Sequence, residues 1–414
     1  MLGSESTQAE LCFFIGQQHH KRAQGEYDAG NYPLGASLFA DAEQWYRHGL
    51  KHDPNQIKMQ TALMYALISQ RKHAEALPYC DLACATTNPD EKLAALYTRG
   101  LTHLMVGNYS KGFHDLVSRT TLHNITDMPY FEKVKGLDPW DGKPTKHLLI
   151  YSEAGFGDVI MFSRFVPMIL ERKLAERVTI EAHESIVDLL RHNIGKWATV
   201  IGYTKEKTPH DQFAFIMNLP LILGTTKKTI PSMLFTAPQD SIAKWEKIGR
   251  LKGLKVGIAW AGRPAKDTHT VCWNAMRNIP LKALAPILYN PRCTFVSLQK
   301  GEANNDLKGF GDIRCFDNEI KSWSDTAGIM HHLDLVISID SGPVHLAAAM
   351  GKYVWLLNHL NSCWRWQQSG PKSPWYDNVR IFRQPADGDW TTPVVEAADQ
   401  LARFSESMQQ GRAA

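Results

Sequence analysis

Asp334-Leu335-Val336-Ile337-Ser338-Ile339-Asp340-Ser341-Gly342-Pro343-Val344-His345-Leu346-Ala347-Ala348-Ala349-Met350-Gly351 reads as a buried strand, a polar turn at its carboxyl end and an Ala-rich helix able to pack closely on a sheet. Asp340, Ser341, Gly342 and the opening amides of that helix converge on one point. A helix amino terminus preceded by small residues suits a phosphate. The competing interpretation is an ordinary strand-to-helix cap with a core-facing His345.

Far upstream the pattern recurs. His147-Leu148-Leu149-Ile150-Tyr151 is a short apolar strand, followed by Ser152-Glu153-Ala154-Gly155-Phe156-Gly157-Asp158 and an amphipathic run from Val159 to Val166. Glycines at 155 and 157 allow a tight turn with backbone close to a ligand, and Asp158 then opens the next helix. The turn is not a dinucleotide fingerprint in full, because Ile160 stands where the third glycine of Gly-x-Gly-x-x-Gly belongs, although Glu181 mimics the ribose-binding acid.

The 414 residues suffice for two or three domains, each with its own core. Hydrophobic residues make up 44% and charged residues 21%, an ordinary globular balance that argues against disorder. A net charge of +4 without a dense Lys/Arg stripe neither demands nor excludes a polyanionic partner. The start, Met1 to Ser6, lacks a basic segment followed by an apolar core, and no run of about 18 apolar residues occurs. A cytoplasmic protein is expected. Seven scattered cysteines fit reduced thiols, and Cys80 and Cys84, without a second ligand pair, fit core packing rather than zinc.

The first 125 residues read as helical throughout and carry a loose repeat of about 34 residues. Pro54 and Pro89 each end a helical stretch, Leu63 to Ala66 answers Tyr97 to Gly100, and Gly30-Asn31-Tyr32 matches Gly107-Asn108-Tyr109. This resembles about three tetratricopeptide repeats, whose stacked hairpins form a concave groove. A plain packing or oligomerisation module is the alternative. From His147 strands and helices alternate. Strands are expected at His147 to Tyr151, Arg177 to Glu181, Thr199 to Gly202 and Phe213 to Met217. After a break through Pro231 and Pro238 a second series follows at Lys255 to Trp260, Thr294 to Leu298, Ile313 to Cys315, Leu335 to Ile339 and Tyr353 to Leu357. Two such series imply two parallel sheets with a cleft between them. The boundaries are 1–125 for the repeats, 126–240 for an acceptor-side lobe, 241–390 for a sugar-nucleotide lobe and 391–414 for a terminal helix and tail.

Asp138-Pro139-Trp140-Asp141-Gly142, Glu153 to Asp158, Ala259-Trp260-Ala261-Gly262, Ser297-Leu298-Gln299-Lys300-Gly301, Asp340 to His345 and Trp364-Arg365-Trp366 together resemble a bacterial group. That group joins tetratricopeptide repeats to a glycosyltransferase domain similar to the ADP-heptose lipopolysaccharide heptosyltransferases, glycosyltransferase family 9. The resemblance covers roughly 130 to 390. It implies an α/β fold of GT-B type, with two Rossmann-like lobes after the all-α repeats, an acceptor site on the first lobe and a sugar-nucleotide site on the second.

Carried over residue by residue, the resemblance makes Asp158 the catalytic base, with Glu153, Gly155 and Gly157 on the acceptor side. Asp340, Ser341, Gly342 and His345 form the donor-phosphate turn, with Asp-Ser where family members often have Asp-Thr. Arg263 or Lys266 meets the diphosphate, in a run that departs from the usual Asn-Pro; Gln299 and Lys300 are further candidates, and Ser324 or Asp325 touches the nucleotide. Transfer from a nucleotide diphosphate needs charge stabilisation on the leaving phosphates and a base for the acceptor hydroxyl. No Asp-x-Asp pair or His/Glu cluster with metal spacing stands out, so a metal-independent reaction without a cofactor is expected, the sugar nucleotide being the donor substrate. Fused repeats suggest a macromolecular acceptor, a protein ahead of a glycan, a lipid-linked sugar or a modified nucleic acid base. The alternatives are a noncatalytic repeat scaffold with a vestigial pocket and, more distantly, a nicotinamide-dependent oxidoreductase.

Overall fold

The computed structural model describes residues 5–122, 134, 138–153, 155–204, 206, 208–264, 274–310 and 312–413. These divide into two compact units.

The first unit comprises Met1–Ile125 together with Leu360–Ser369 and Ala386–Gly388. Its helices α1 (Glu5–Asp28), α2 (Tyr32–His52), α3 (Ile57–Ser69), α4 (His73–Ala83), α5 (Pro89–Met105) and α6 (Tyr109–Leu116) pack as three successive hairpins. Each hairpin turns in the same way. The amides of Asn31, Lys72 and Asn108 reach back five residues to the carbonyls of Glu26, Leu67 and His103 at 2.8–2.9 Å, while Gly30, Arg71 and Gly107 take positive φ between 64° and 85°. This is the Schellman closure, which favours glycine at the left-handed position. Two of the turns show in the sequence as Gly-Asn-Tyr; the middle one is hidden because Arg71 occupies the glycine position. Between the helices lies a core of small and apolar side chains that includes Ala9, Tyr46, Met59, Leu63 and Cys80.

Residues 360–369 and 386–388 fall in the span expected for the second lobe, yet they are built into this helical unit. Trp364 is 4% exposed, with its ring edge-on to Phe113 at 5.6 Å. Arg71 donates to the Gln368 carbonyl at 2.9 Å and Gln368 returns an amide to the Arg71 carbonyl at 2.8 Å. The Tyr27 hydroxyl donates to Asp387 at 2.5 Å, and burial, with Asp387 alongside, pushes its pKa up.

The second unit comprises Thr126–His359, Gly370–Pro385 and Asp389–Ala414. It holds two all-parallel sheets. The first contains β1 (Thr145–Tyr151), β2 (Ala175–Ala182), β3 (Thr199–Gly202) and β4 (Gln212–Phe215) in the order β3-β2-β1-β4. The second contains β5 (Leu254–Ala259), β6 (Cys293–Ser297), β7 (Arg314–Cys315), β8 (Leu335–Ser338), β9 (Tyr353–Asn358) and β10 (Val379–Arg383) in the order β10-β9-β8-β5-β6-β7. Counted from β5, the second sheet follows the doubly wound order 3-2-1-4-5-6, so its direction reverses between β5 and β8. The central strands β5 and β8 are nearly continuous apolar runs because both faces are covered. Nine of the ten strands match expected segments to within two residues at either end. The tenth, β10, was not anticipated: Val379-Arg380-Ile381-Phe382-Arg383 is a five-residue edge strand whose charged residues break the apolar run.

The core of the second sheet gathers Val256, Ile258, Trp260, Ile337, Trp355 and Leu401, the last from the terminal helix Thr391–Ala413. Asp138 to Gly142 runs along the β4 edge of the first sheet, Pro139 forming a parallel bridge with Phe213 and the Trp140 amide donating to the Phe213 carbonyl at 2.7 Å. No helix among the described residues is long and apolar enough to cross a membrane.

Candidate functional site

In doubly wound sheets ligands sit beyond the carboxyl ends of the strands where the winding reverses. In the second sheet that point lies past Ala259 and Ser338, and both the Trp260–Arg263 turn and the Asp340–His345 turn occupy it. The helix Gly342–Ala349 starts there with Ser341 at its cap position in extended conformation, φ −156° and ψ 170°. Ser341 spends its hydroxyl within the turn, on Ser338 Oγ at 3.1 Å and the Ile339 carbonyl at 3.3 Å, and makes no side-chain cap bond to the helix amides. Gly342 is required by crowding: a Cβ there would lie 2.5 Å from Trp323 Cη2.

The first lobe brings its own turn to this place. The helix Phe156–Phe162 packs on the helix Gly342–Ala349, and a Cβ on Gly157 would lie 2.5 Å from His345 Cδ2 and 3.3 Å from Nε2. Two motifs almost 190 residues apart in sequence thus meet through a backbone that only glycine can bring so close. Gly155 is different. Its φ of −66° and ψ of 161° suit any residue, and a Cβ would meet only Asp158 Oδ2 at an ordinary 3.6 Å. Asp158 lies in the first turn of its helix, half-buried. Phe156 carries the junction further, with its ring 5.3 Å from His183 on one side and 5.2 Å from Trp323 on the other.

His345 is buried, with Nδ1 3.1 Å from the Tyr376 hydroxyl and Nε2 4.0 Å from Asp340 Oδ1. Nothing in the sequence singled out Arg277. Its Nη1 donates to the Asp340 carbonyl at 2.8 Å, and Asn274 Oδ1 fixes the guanidinium through Nε at 3.1 Å and Nη2 at 2.8 Å. The signal available was a basic residue shortly before the Asn278-Ile279-Pro280 run, but only the fold carries it to the end of β8. His359, at the carboxyl end of β9, is buried, and that burial, with Arg277 and then Arg383 nearby, pushes its pKa down to about 3.

Other expected site residues are occupied elsewhere. Gln299 accepts from the Trp260 and Ala261 amides at 3.2 and 3.1 Å and donates to the Ala261 carbonyl at 2.9 Å, so it shapes the turn after β5. Lys300 bonds Asp317 Oδ1 at 2.6 Å and the carbonyls of Asp317 and Ile320. Burial opposes ionisation of Asp325, but Lys244 at 2.6 Å, the Lys321 amide and Trp245 outweigh it and hold the carboxyl below its usual range. Ser324 is buried and lines a cavity of about 500 Å³, shared with Arg191 and Lys244. Glu153 accepts from the Ile216 amide at 3.1 Å, bracing the end of β4. Glu181 is buried and accepts from the Thr208 hydroxyl, an internal bond at the end of β2. Arg263 is exposed, with its carbonyl bonded by Asn274. Lys266 lies outside the described residues, as does Ala154. Among the described residues no group of three His, Cys, Asp or Glu side chains is placed to hold a metal ion.

No protein-family model matches the chain. It is 26% identical over 376 residues to Protein FlbA of Caulobacter vibrioides, an alignment covering 80% of this chain and 59% of that protein. The chain therefore spans 59% of the length of that curated relative. Among solved structures, a family 9 glycosyl transferase from Veillonella parvula aligns with 64% of this chain and 97% of its own at a TM-score of 0.46 and 11% identity. The ADP-heptose lipopolysaccharide heptosyltransferase II of E. coli aligns with 63% of this chain and 99% of its own at 0.44 and 13%. The O-GlcNAc transferase of Thermobaculum terrenum aligns with 99% of this chain and 94% of its own at 0.30 and 10%.

Proposed function

We propose that the chain is a glycosyltransferase that moves a sugar from a nucleotide diphosphate sugar to a hydroxyl of a macromolecular acceptor, a protein in the first instance. The observation that carries this reading is the contact of Gly157 with His345, which sets the Gly157-Asp158 turn of one sheet against the Asp340–His345 turn of the other. The ordered motifs of the sequence supply the reaction class. The donor's diphosphate lies at the start of the helix Gly342–Ala349, where amides, His345 and the Arg277 guanidinium offer hydrogen-bond donors and positive charge. Asp158 takes the proton of the acceptor hydroxyl. The acceptor oxygen then bonds the anomeric carbon as the bond from that carbon to the phosphate oxygen breaks, and the electron pair leaves with the diphosphate. In this reading protein donors meet the developing charge, so the reaction needs no divalent cation. The helical unit recognises the acceptor as a stack of tetratricopeptide-like hairpins.

The test is a panel of sugar nucleotides, read first by calorimetric binding and then by release of nucleoside diphosphate without acceptor. One donor is expected to bind and hydrolyse slowly. Asp158→Asn, which retains the shape and much of any capping bond, is expected to lower transfer by roughly 10²–10⁴-fold at near-constant donor affinity. Binding without hydrolysis or transfer would favour a noncatalytic scaffold, and absence of binding across the panel would refute the proposal.

A further inference from the structure

His345 is held by more than its helix. Its Nδ1 lies 3.1 Å from the Tyr376 hydroxyl, and behind that phenol stands Arg164, which is 4% exposed. Burial lowers the pKa of Arg164, and the neighbouring Tyr376 opposes the shift. The guanidinium carbon sits 4.8 Å from the Tyr376 ring centroid and 5.6 Å from that of Trp375. Carbonyl oxygens fix its orientation: Met161 at 2.8 Å, Trp375 at 2.9 Å and Pro231 at 3.3 Å. A buried arginine held by carbonyls and aromatic faces is costly, and such a residue is expected to do something its removal would abolish.

What it holds is the Tyr376 ring, over whose face the guanidinium lies, and the phenol in turn meets Nδ1 of His345. Nε2 faces the Asp340 carboxylate at 4.0 Å, and a carboxylate favours a proton on the nitrogen turned towards it. The phenol's own proton is then directed at Nδ1, which becomes an acceptor. A neutral imidazole carries one proton, and it resides on Nε2. That nitrogen also lies 3.3 Å from where a Gly157 Cβ would stand, at the meeting of the two turns.

We infer that Arg164 and Tyr376 form a positioning relay that holds His345 as its Nε2–H tautomer, with that N–H directed to the meeting of the two turns. The role of that N–H rests on the proposed function: it donates to the leaving diphosphate, whereas the opposite tautomer would present a lone pair to an anion. The tautomer itself does not depend on that function. Tyr376 and Arg164 touch no reacting atom in this scheme and act through His345.

The relay is tested on the full chain with ¹³C,¹⁵N-labelled histidine, the ring shifts of His345 being assigned by their loss in His345→Gln. The wild type is expected to show Nδ1 unprotonated and Nε2 protonated. Tyr376→Phe keeps the ring and removes the hydroxyl, and it is expected to give a mixture of tautomers. Arg164→Gln is expected to move the same signals in the same direction. In turnover, Tyr376→Phe is expected to lower kcat by roughly 10–100-fold while the donor KM changes by less than about 3-fold, as for loss of a partner that orients a catalytic imidazole. A proton on Nδ1 in the wild type, or an unchanged tautomer in both variants, would overturn the relay. If the wild type transfers no sugar, the functional reading fails while the ring shifts still decide the relay.

Discussion

Replacing Gly157 by alanine places one methyl group where the two turns meet. That carbon would lie 2.5 Å from His345 Cδ2, and the backbone of Gly157 is tied into the first turn of its helix. To reach an ordinary carbon–carbon contact the imidazole must retreat by about 1 Å. It has little room, because Nδ1 is bonded to Tyr376 and the ring is buried. The strain is that of an overpacked core, about 1–3 kcal/mol, and a reacting group displaced by about 1 Å loses on the order of 10²-fold in rate. Melting temperature and steady-state transfer measured on the same preparation read both effects. Gly155→Ala is the matched comparison, since its methyl meets only Asp158 Oδ2 at 3.6 Å and its backbone already suits alanine. Its melting temperature and donor affinity are expected to match the wild type. If Gly157→Ala leaves both stability and kcat unchanged, or if the two alanine variants lose the same amount, the convergence of the turns does not underlie the activity.

Arg277→Ala is expected to weaken donor binding by about 1–3 kcal/mol, measured by calorimetry with the nucleoside diphosphate, because a charged donor beside the Asp340 turn is removed; unchanged affinity would take Arg277 out of the site. Trp364→Ala is expected to cost about 3–5 kcal/mol, seen as early loss of helical signal on denaturation, since the indole is buried against Phe113 within the helical unit. Truncation near Asn124 removes helices that Trp364 and Gln368 pack on, so it is a poorer probe of acceptor recognition than surface substitutions in α1–α6. His359 is held neutral with its pKa depressed from 6.5 to about 3, so the unfolded chain binds the extra proton first. Stability is therefore full above pH 6.5 and falls by about 1.4 kcal/mol per pH unit between there and pH 3 from this group alone. Denaturant midpoints across that window should show the slope, and His359→Asn should flatten it.

Much of the second unit was legible because parallel strands are covered on both faces and therefore appear as short apolar runs, each ending in polar or glycine-containing turns. Leu335 to Ile339 and His147 to Tyr151 declared themselves in this way, and so did the helix starts that follow. The Schellman turns at Gly30 and Gly107 were equally plain, since a left-handed residue selects glycine, while Arg71 concealed the third. Local chemistry thus determined the elements and pointed to two candidate turns. The tertiary structure alone decided which residues those turns meet. Gln299, Lys300 and Asp325 have the chemistry of ligand contacts, yet backbone amides, Asp317 and Lys244 engage them, because hydrogen-bond demand is settled by neighbours distant in sequence. Arg277, Tyr376 and Arg164 have no distinguishing local pattern and reach His345 or the Asp340 turn only through the winding of the sheets. The same holds for Trp364, which packs edge-on to Phe113, far away in sequence. A sequence specifies local conformation through its own side chains, whereas a site assembles from groups that share no segment, and only packing selects the partners.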